Sequence, residues 1–315
     1  MLAVIGALIA NGLITILKFI AAVFTGSSGM MAEALHSLAD TTNQIFLLLG
    51  LRFYERPASE KHPFGYGKER FFWSFIAAIF IFGVGATYAI YEGIEKVRHP
   101  HVPENLAWAY WVLSISFVLE AISIGIALNQ EIGEAHHEGL SLGEYLKESK
   151  DPTAKTVIFE DSAALLGIII AMTGLLLGQY HIPPAGGQLW DGIASISIGV
   201  VLAIVAFSLA RSSRGLLLGE AATRKSVNAI RKAVKSHPNV NEVIELLTMH
   251  LAPKQILVNA HVNLKSDLTN AEIIKTIAEI EKKMKQAEPK VDKIFLETAG
   301  LKEVKSEERK VKSSE

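Results

Sequence analysis

The sequence predicts an α-helical membrane protein, six transmembrane helices followed by a small cytoplasmic α+β domain of order αββαβ. Three observations predict it. Half of the 315 residues are hydrophobic, and the mean hydropathy of +0.30 is high for a soluble domain. Lys and Glu crowd the last third, while runs near 3–24, 74–91, 108–128, 162–179 and 192–210 hold very few charges. After Gly219 the long apolar runs give way to short amphipathic stretches, including a period-two alternation in QILVNAHVNL.

A membrane-spanning helix needs about 20 mostly apolar residues, which places the six spans at about 2–24, 30–53, 71–96, 107–130, 155–179 and 189–212. The stretch from Met1 to Phe24 is too long for a signal-peptide core and lacks a small-residue cleavage pattern, so it is read as a retained helix. Each break has turn chemistry: TGSSG at 25–29, the charged ERPASEKHPFGYGKER at 55–70, and QYHIPPAGG at 179–187. Trp73, Trp108, Trp111 and Trp190 all fall near predicted helix ends, where an aromatic belt would put them. Arg52, Arg56, Lys61, Lys68 and Arg70 follow the second span, Lys147, Lys150 and Lys155 the fourth, and Arg211 and Arg214 end the sixth. The opposite side has only Lys96 and Arg98, so the positive-inside rule puts both termini in the cytoplasm or its organellar equivalent.

Beyond the spans, ATRKSVNAIRKAVKSHP repeats apolar residues at Val227, Ile230 and Val234 and reads as a helix. Residues 255–264 set Ile256, Val258, Ala260, Val262 and Leu264 on one strand face, with Asn259, His261 and Asn263 on the other. Thr269 is a cap candidate for a helix over TNAEIIKTIAEIEKKMKQ, and further strands fall near 241–251 and 291–298. The expected domains are therefore 1–212 in the membrane, 213–300 in the cytoplasm, and a charged, disordered tail over 301–315.

Composition also excludes. The absence of cysteine removes disulfides and thiolate metal sites, and a formal net charge of −1 gives no argument for nucleic acid. There is no Ser nucleophile elbow, no H-E-x-x-H and no phosphate loop, so an enzyme is not expected.

The chemistry lies in ionisable groups at membrane depth, where a charge at a helix centre costs about 2.5–3.5 kcal/mol. In MAEALHSLADTTNQ, residues 31–44, Glu33, His36, Asp40 and Asn43 fall at i, i+3, i+7 and i+10, one narrow helical stripe. Glu120 lies on the fourth span, and Glu160 and Asp161 on the fifth; apart from Lys18 on the first span, no Lys or Arg stands at similar depth. Collected buried acids need protons or a cation, and His with two or three carboxylate oxygens is a reasonable tetrahedral zinc shell. Taken alone, His36 with Asp40 also fits an interhelical hydrogen bond, but a third acid on another helix turns the reading to a ligand site. Glu33, near the start of its helix, reads as an interfacial group or a partner of the helix dipole. Glu120 is either a protonated, hydrogen-bonded acid or a proton relay.

These residues resemble the cation diffusion facilitator family, the zinc-exporting type of metal–proton antiporter. TGSSGMMAEALHSLADTTNQIFLLLG is similar to the family's second-helix signature, in which the H-x-x-x-D pair ligates the transported metal, and KHPFGYGKER to its H-x-F-G-x-G-K loop. The resemblance runs from about residue 4 to 299 and implies His36, Asp40 and Asp161 as metal ligands. Val157 stands where the family carries a further ligand on the fifth helix, with Glu160 or water as the substitute. Two accessory sites are eroded: in the loop Ser59 and Tyr66 flank a lone His62, and in the last domain Leu296 and Thr298 leave His261 alone. His250 and His261 are accordingly read as strand-surface residues, His136 and His137 as part of a solvated loop, and Lys68 as a partner for an acid such as Glu220.

The implied activity is export of Zn²⁺ from the cytoplasm against protons, in a homodimer held by the soluble domain and seated in lipid of the cell (inner) membrane. Protonation expels a metal from such ligands, and His36 titrates nearest the working range. Another divalent cation (Mn²⁺, Fe²⁺ or Co²⁺), a passive channel or a non-transporting scaffold would tolerate the missing fourth ligand.

Overall fold

A computed structural model describes residues 2–101, 103–137, 139–148, 152–180 and 189–299. The predicted tail at 301–315 and most of the predicted 179–187 turn lie outside them. The described chain forms two compact units, one of Met1–Pro57 with Glu69–Arg214, the other of Ala58–Lys68 with the chain from Gly215 onward.

The first unit is helical: α1 (Leu2–Thr25) and α2 (Ser28–Tyr54), α3 (Glu69–Arg98), α4 (Leu106–His137) and a short α5 (Leu142–Glu148), α6 (Pro152–Gln179) and α7 (Trp190–Leu218). Among the described residues, α3, α4, α7 and the Val157–Gln179 part of α6 are long and apolar enough to cross a membrane. Asn11–Thr25 of α1 is a shorter apolar helical stretch among the described residues, and α2 carries Glu33, His36 and Asp40 in its first half. Large apolar side chains face outward along the unit: Ile16 at 55%, Trp111 at 70%, Ile126 at 57% and Phe207 at 69% exposure. Contiguous apolar surface of this extent is what a lipid-facing bundle presents.

Small residues line the inside. Ala32, Ala34 and Ala39 of α2 are wholly buried, and Gly50 packs against Trp73 of α3. At Gly93 and Gly192, α3 and α7 touch through their backbones: an added Cβ on Gly93 would meet Gly192 O at 2.7 Å, and one on Gly192 would meet Gly93 O at 2.9 Å. Near mid-length α3 makes one π-helical turn over Ile81–Ala86, IFGVGA, and the Thr87 hydroxyl donates to the Phe82 carbonyl there, 2.9 Å away. Helix α4 runs further than predicted, so His136 and His137 stand exposed in its last turn and not in a loop.

In the second unit α8 (Arg224–Lys235) precedes β1 (Val240–Ala252), β2 (Gln255–Leu264), α9 (Asn270–Ala287) and β3 (Val291–Ala299). The sheet order is β1-β2-β3, with β1 antiparallel to β2 and β3 parallel to it, as a crossover through α9 requires. The alternation in β2 is realised: Val258, Ala260 and Val262 are fully buried with Ile230, Val234, Ile280 and Met284 from the two helices. Thr269 forms a capping box with Glu272 at the start of α9, and its N–H and hydroxyl hold that carboxyl below the usual glutamate range.

His250 corrects an expectation. Read as a surface residue, it is 2% exposed in β1 on the same face as buried Leu246, and the register shifts at Val240/Glu242 and Val243/Glu245 break the strand's alternation ahead of it. His261 is half-buried on β2.

The loop motif KHPFGYGKER folds onto the second unit. Gly65 takes φ +81°, Phe64 meets Phe295 edge to face at 6.3 Å, and His62 lies on Tyr66 at 4.5 Å. A Cβ at Gly67 would collide with the Leu251 carbonyl, so only glycine fits. Lys68 Nζ donates to the Leu217 carbonyl at 3.3 Å, satisfying an end group of α7.

Candidate metal centre

The predicted stripe exists. Glu33, His36 and Asn43 are buried on α2 at 0%, 1% and 2% exposure. Four residues along the helix, His36 Nε2 lies 3.1 Å from Asp40 Oδ2, and neither ring nitrogen of His36 has an aligned hydrogen-bond partner. The stripe is fixed at the helix start. Ser27 caps α2, accepting from the Met30 N–H at 3.0 Å.

A second device holds this helix start, and it was missed in the sequence. Asp191, at the start of α7, accepts from Ser27 Oγ at 2.5 Å, Ser28 N at 2.8 Å, Ser28 Oγ at 3.2 Å and Gly29 N at 3.1 Å. Lys96 of α3 approaches the same carboxylate at 3.4 Å and donates to the Gly26 carbonyl at 2.7 Å. A carboxylate on free N–H groups at a helix N-terminus is favourable electrostatically, so α2, α3 and α7 are joined there.

Across from the stripe stands α6. Asn43 Nδ2 donates to Glu160 Oε2 at 2.5 Å, while Ser123 Oγ of α4 donates to Asp161 Oδ2 at 2.9 Å. Glu160 is buried, with 7% exposure; Asp161 is partly exposed. Asp40 lies within electrostatic range of both acids and of Glu120. The described residues nonetheless contain no group of three or more His, Asp or Glu side chains drawn close enough to hold a metal ion. His36 meets Asp40, but Glu160 and Asp161 are each engaged by a neutral donor. Val157 is half-buried in α6, one turn before Asp161.

Glu33 is buried inside the bundle and paired. Lys18 Nζ of α1 donates to Glu33 Oε2 at 3.1 Å, and both side chains are wholly buried. Each charge needs the other at that depth. Its other oxygen lies against Gly167 of α6, where a Cβ would collide with it. The i+3 spacing from Glu33 to His36 was legible, and so was Lys18 on the first span as the one basic residue at similar depth; its pairing with Glu33 was not.

Buried polar atoms in folded proteins are nearly always hydrogen-bonded. Here His36 Nδ1 and Nε2, Glu33 Oε1, Glu160 Oε1 and Asn43 Oδ1 are buried without a hydrogen-bond partner. Electron-pair donors collected on facing helices suit a cation.

Two family models divide the chain in the same sense. One described as the cation efflux transmembrane domain matches residues 4–218, and one described as the cation efflux protein cytoplasmic domain matches 222–297. The proton-coupled zinc antiporter SLC30A9, mitochondrial, of Mus musculus is 33% identical over 253 residues, 80% of this chain and 44% of that protein. Metal tolerance protein C4 of Arabidopsis thaliana is 31% identical over 266 residues, 84% of this chain and 57% of that protein. The cation-efflux pump FieF of Shewanella oneidensis is 26% identical over 258 residues, 82% of this chain and 79% of that protein. The chain thus spans less than half the length of the antiporter it matches. With the membrane-domain match running from residue 4 to 218, the chain belongs to the cation efflux, or cation diffusion facilitator, family of multi-pass membrane transporters.

Proposed function

We propose that the chain exports a divalent metal cation, Zn²⁺ as substrate, from the cytoplasm in exchange for protons by alternating access. The observation that carries this reading is the pair of buried atoms without a hydrogen-bond partner, His36 Nδ1 and Glu160 Oε1, next to Asp40 and Asp161 on two packed helices. In this reading the ion is held by His36, Asp40, Asp161 and Glu160, the last replacing the ligand lost at Val157. Loading draws Glu160 away from Asn43 and Asp161 away from Ser123, and their release of the ion restores those hydrogen bonds. Ligands must be deprotonated to bind, so protons arriving from the far compartment expel the metal.

The remaining assignments follow the same reading. All six long helices span the membrane, α1 and α2 included, with the polar stripe of α2 turned inward. Residues 1–212 form the transport domain and 213–300 a cytoplasmic domain that pairs two copies; both termini are cytoplasmic and the membrane is the cell (inner) membrane. The supporting observations are the Lys and Arg asymmetry between loops and the relatives' printed names.

Metal flux into proteoliposomes, with and without a pH gradient, tests the reading in wild type, Asp40→Ala and Asp161→Ala. Gradient-dependent Zn²⁺ uptake that vanishes in both variants supports it. Uptake that survives Asp161→Ala puts the ion elsewhere, and uptake indifferent to the gradient makes the chain a channel.

A further inference from the structure

Glu33 shares a helical face with His36 and Asp40 and is as deeply buried as either, yet it sits on an ammonium. That arrangement carries an inference which rests on the ligand set proposed above. The Lys18–Glu33 contact is 3.1 Å with both side chains at 0% exposure. Gly167 of α6, the helix that carries Glu160 and Asp161, leaves room for the Glu33 carboxyl and for nothing larger than hydrogen on its own α-carbon. The free oxygen, Oε1, is partnerless. Lys18 lies within electrostatic range of His36 and Glu120, and Glu33 within range of His36. Three helices therefore bring a fifth carboxylate to the edge of the centre, and one lysine occupies it.

We propose that Lys18 sets the affinity of the transport site: it holds Glu33 out of the metal's shell and stands beside the site as a positive charge. A divalent ion arriving at His36 and Asp40 meets acids on α2, α4 and α6 and an ammonium from α1. The ammonium cancels one carboxylate, so the site attracts the ion less than its count of acids implies. A transporter must release what it binds, and a positive charge beside the site limits affinity without removing a ligand. The opposing charges act through space on the ion, so they shift binding in opposite directions when removed singly.

The test is Zn²⁺ binding to the detergent-solubilised full chain by isothermal titration calorimetry at fixed pH. Lys18→Met frees Glu33 and raises Zn²⁺ affinity by about tenfold or more, whereas Glu33→Gln leaves the ammonium uncompensated and lowers it by a similar factor. Lys18→Met combined with Glu33→Gln returns the affinity to within about threefold of wild type, as cancelling charges require. A purely structural pair gives a different pattern, in which Lys18→Met weakens binding just as Glu33→Gln does and the double variant, with no unpaired charge left, recovers; weaker binding in Lys18→Met overturns the proposal. Should Lys18→Met fail to fold, Lys18→Gln, which keeps a hydrogen-bond donor toward Glu33, takes its place: higher affinity than wild type supports the proposal, and unchanged or lower affinity refutes it. Asp40→Ala separates the two levels. If it still binds Zn²⁺, the ligand set is wrong; if it does not, and Lys18→Met leaves the affinity unchanged, only the role of Lys18 is wrong.

Discussion

Replacing Asp191 with Ala removes the acceptor of the cluster that holds the start of α2. Four hydrogen bonds end on this carboxylate, from Ser27 Oγ, Ser28 N, Ser28 Oγ and Gly29 N at 2.5–3.2 Å, and Lys96 Nζ stands 3.4 Å away. Asp191 is 3% and Lys96 also 3% exposed. Breaking a buried ion pair by deleting one partner costs about 3–5 kcal/mol. The two orphaned backbone N–H groups push toward the upper end, since each is worth about 1–3 kcal/mol when buried and unsatisfied. Lys96 keeps its bond to the Gly26 carbonyl at 2.7 Å, which pulls the other way. The net expectation is a loss of about 4 kcal/mol, or on the order of 10 °C in melting temperature at roughly 2–4 °C per kcal/mol. Asp191→Asn retains one acceptor oxygen and should lose about half as much. Thermal unfolding of the detergent-solubilised full chain, followed by size-exclusion recovery after heating, reads both variants. A shift below about 2 °C for Asp191→Ala, equivalent to less than about 1 kcal/mol, would refute the claim that this carboxylate joins α2, α3 and α7.

Other outcomes follow from single sites. Gly167→Ala drives a Cβ into Glu33 Oε1 and should cost about 1–3 kcal/mol by overpacking, whereas Gly125→Ala, inside α4 with nothing within 4 Å, should stabilise by about 0.4–1 kcal/mol and raise the melting temperature. Ile280→Ala empties a fully buried position between α9 and the sheet; a loss of roughly 2–5 kcal/mol should appear as faster amide exchange throughout β2 in the full chain. Glu279 is held below the usual glutamate range by the hydrogen bond with His237, 2.9 Å away. Because the folded state has the lower pKa, the contribution of Glu279 is complete above the unfolded value of about 4.3 and fades as pH falls beneath it. Glu279→Gln should flatten that part of the stability-against-pH curve, which a urea series at several acidic pH values would display.

Much of this architecture was legible because it depends on period and composition. The five inward residues of β2 alternate without interruption, and all five are buried. Thr269 and Glu272 announce their capping box three residues apart. The interruptions were not legible. Two register shifts in β1, at Val240/Glu242 and Val243/Glu245, break the alternation ahead of the buried His250, and no residue type marks them. The sequence puts the end of the fourth span near residue 130, yet α4 continues to His137. In the centre, His36 and Asp40 were found through their spacing on one helix. Partners from other helices stayed hidden, among them Lys18 for Glu33, Ser123 for Asp161 and Lys96 with Asp191 for the start of α2. Sequence periodicity reports which face of a helix is polar, but not which neighbour meets it. Buried charges at membrane depth require such a neighbour, and that requirement was the available signal for Lys18.

The buried pair between α1 and α2 also bears on how the chain enters its membrane. Each charge alone makes its helix a poor substrate for lateral release into lipid, at about 2.5–3.5 kcal/mol near a helix centre. The two residues are separated by only fifteen positions and a turn at Gly26–Ser27, so they reach the insertion machinery almost together. Under the six-span reading, the first helix would wait for the second, and the two would leave as a neutral hairpin. Neutralising Glu33 alone would then strand Lys18 during synthesis, and the defect would show first in the fraction of chains with the N-terminus on the correct side.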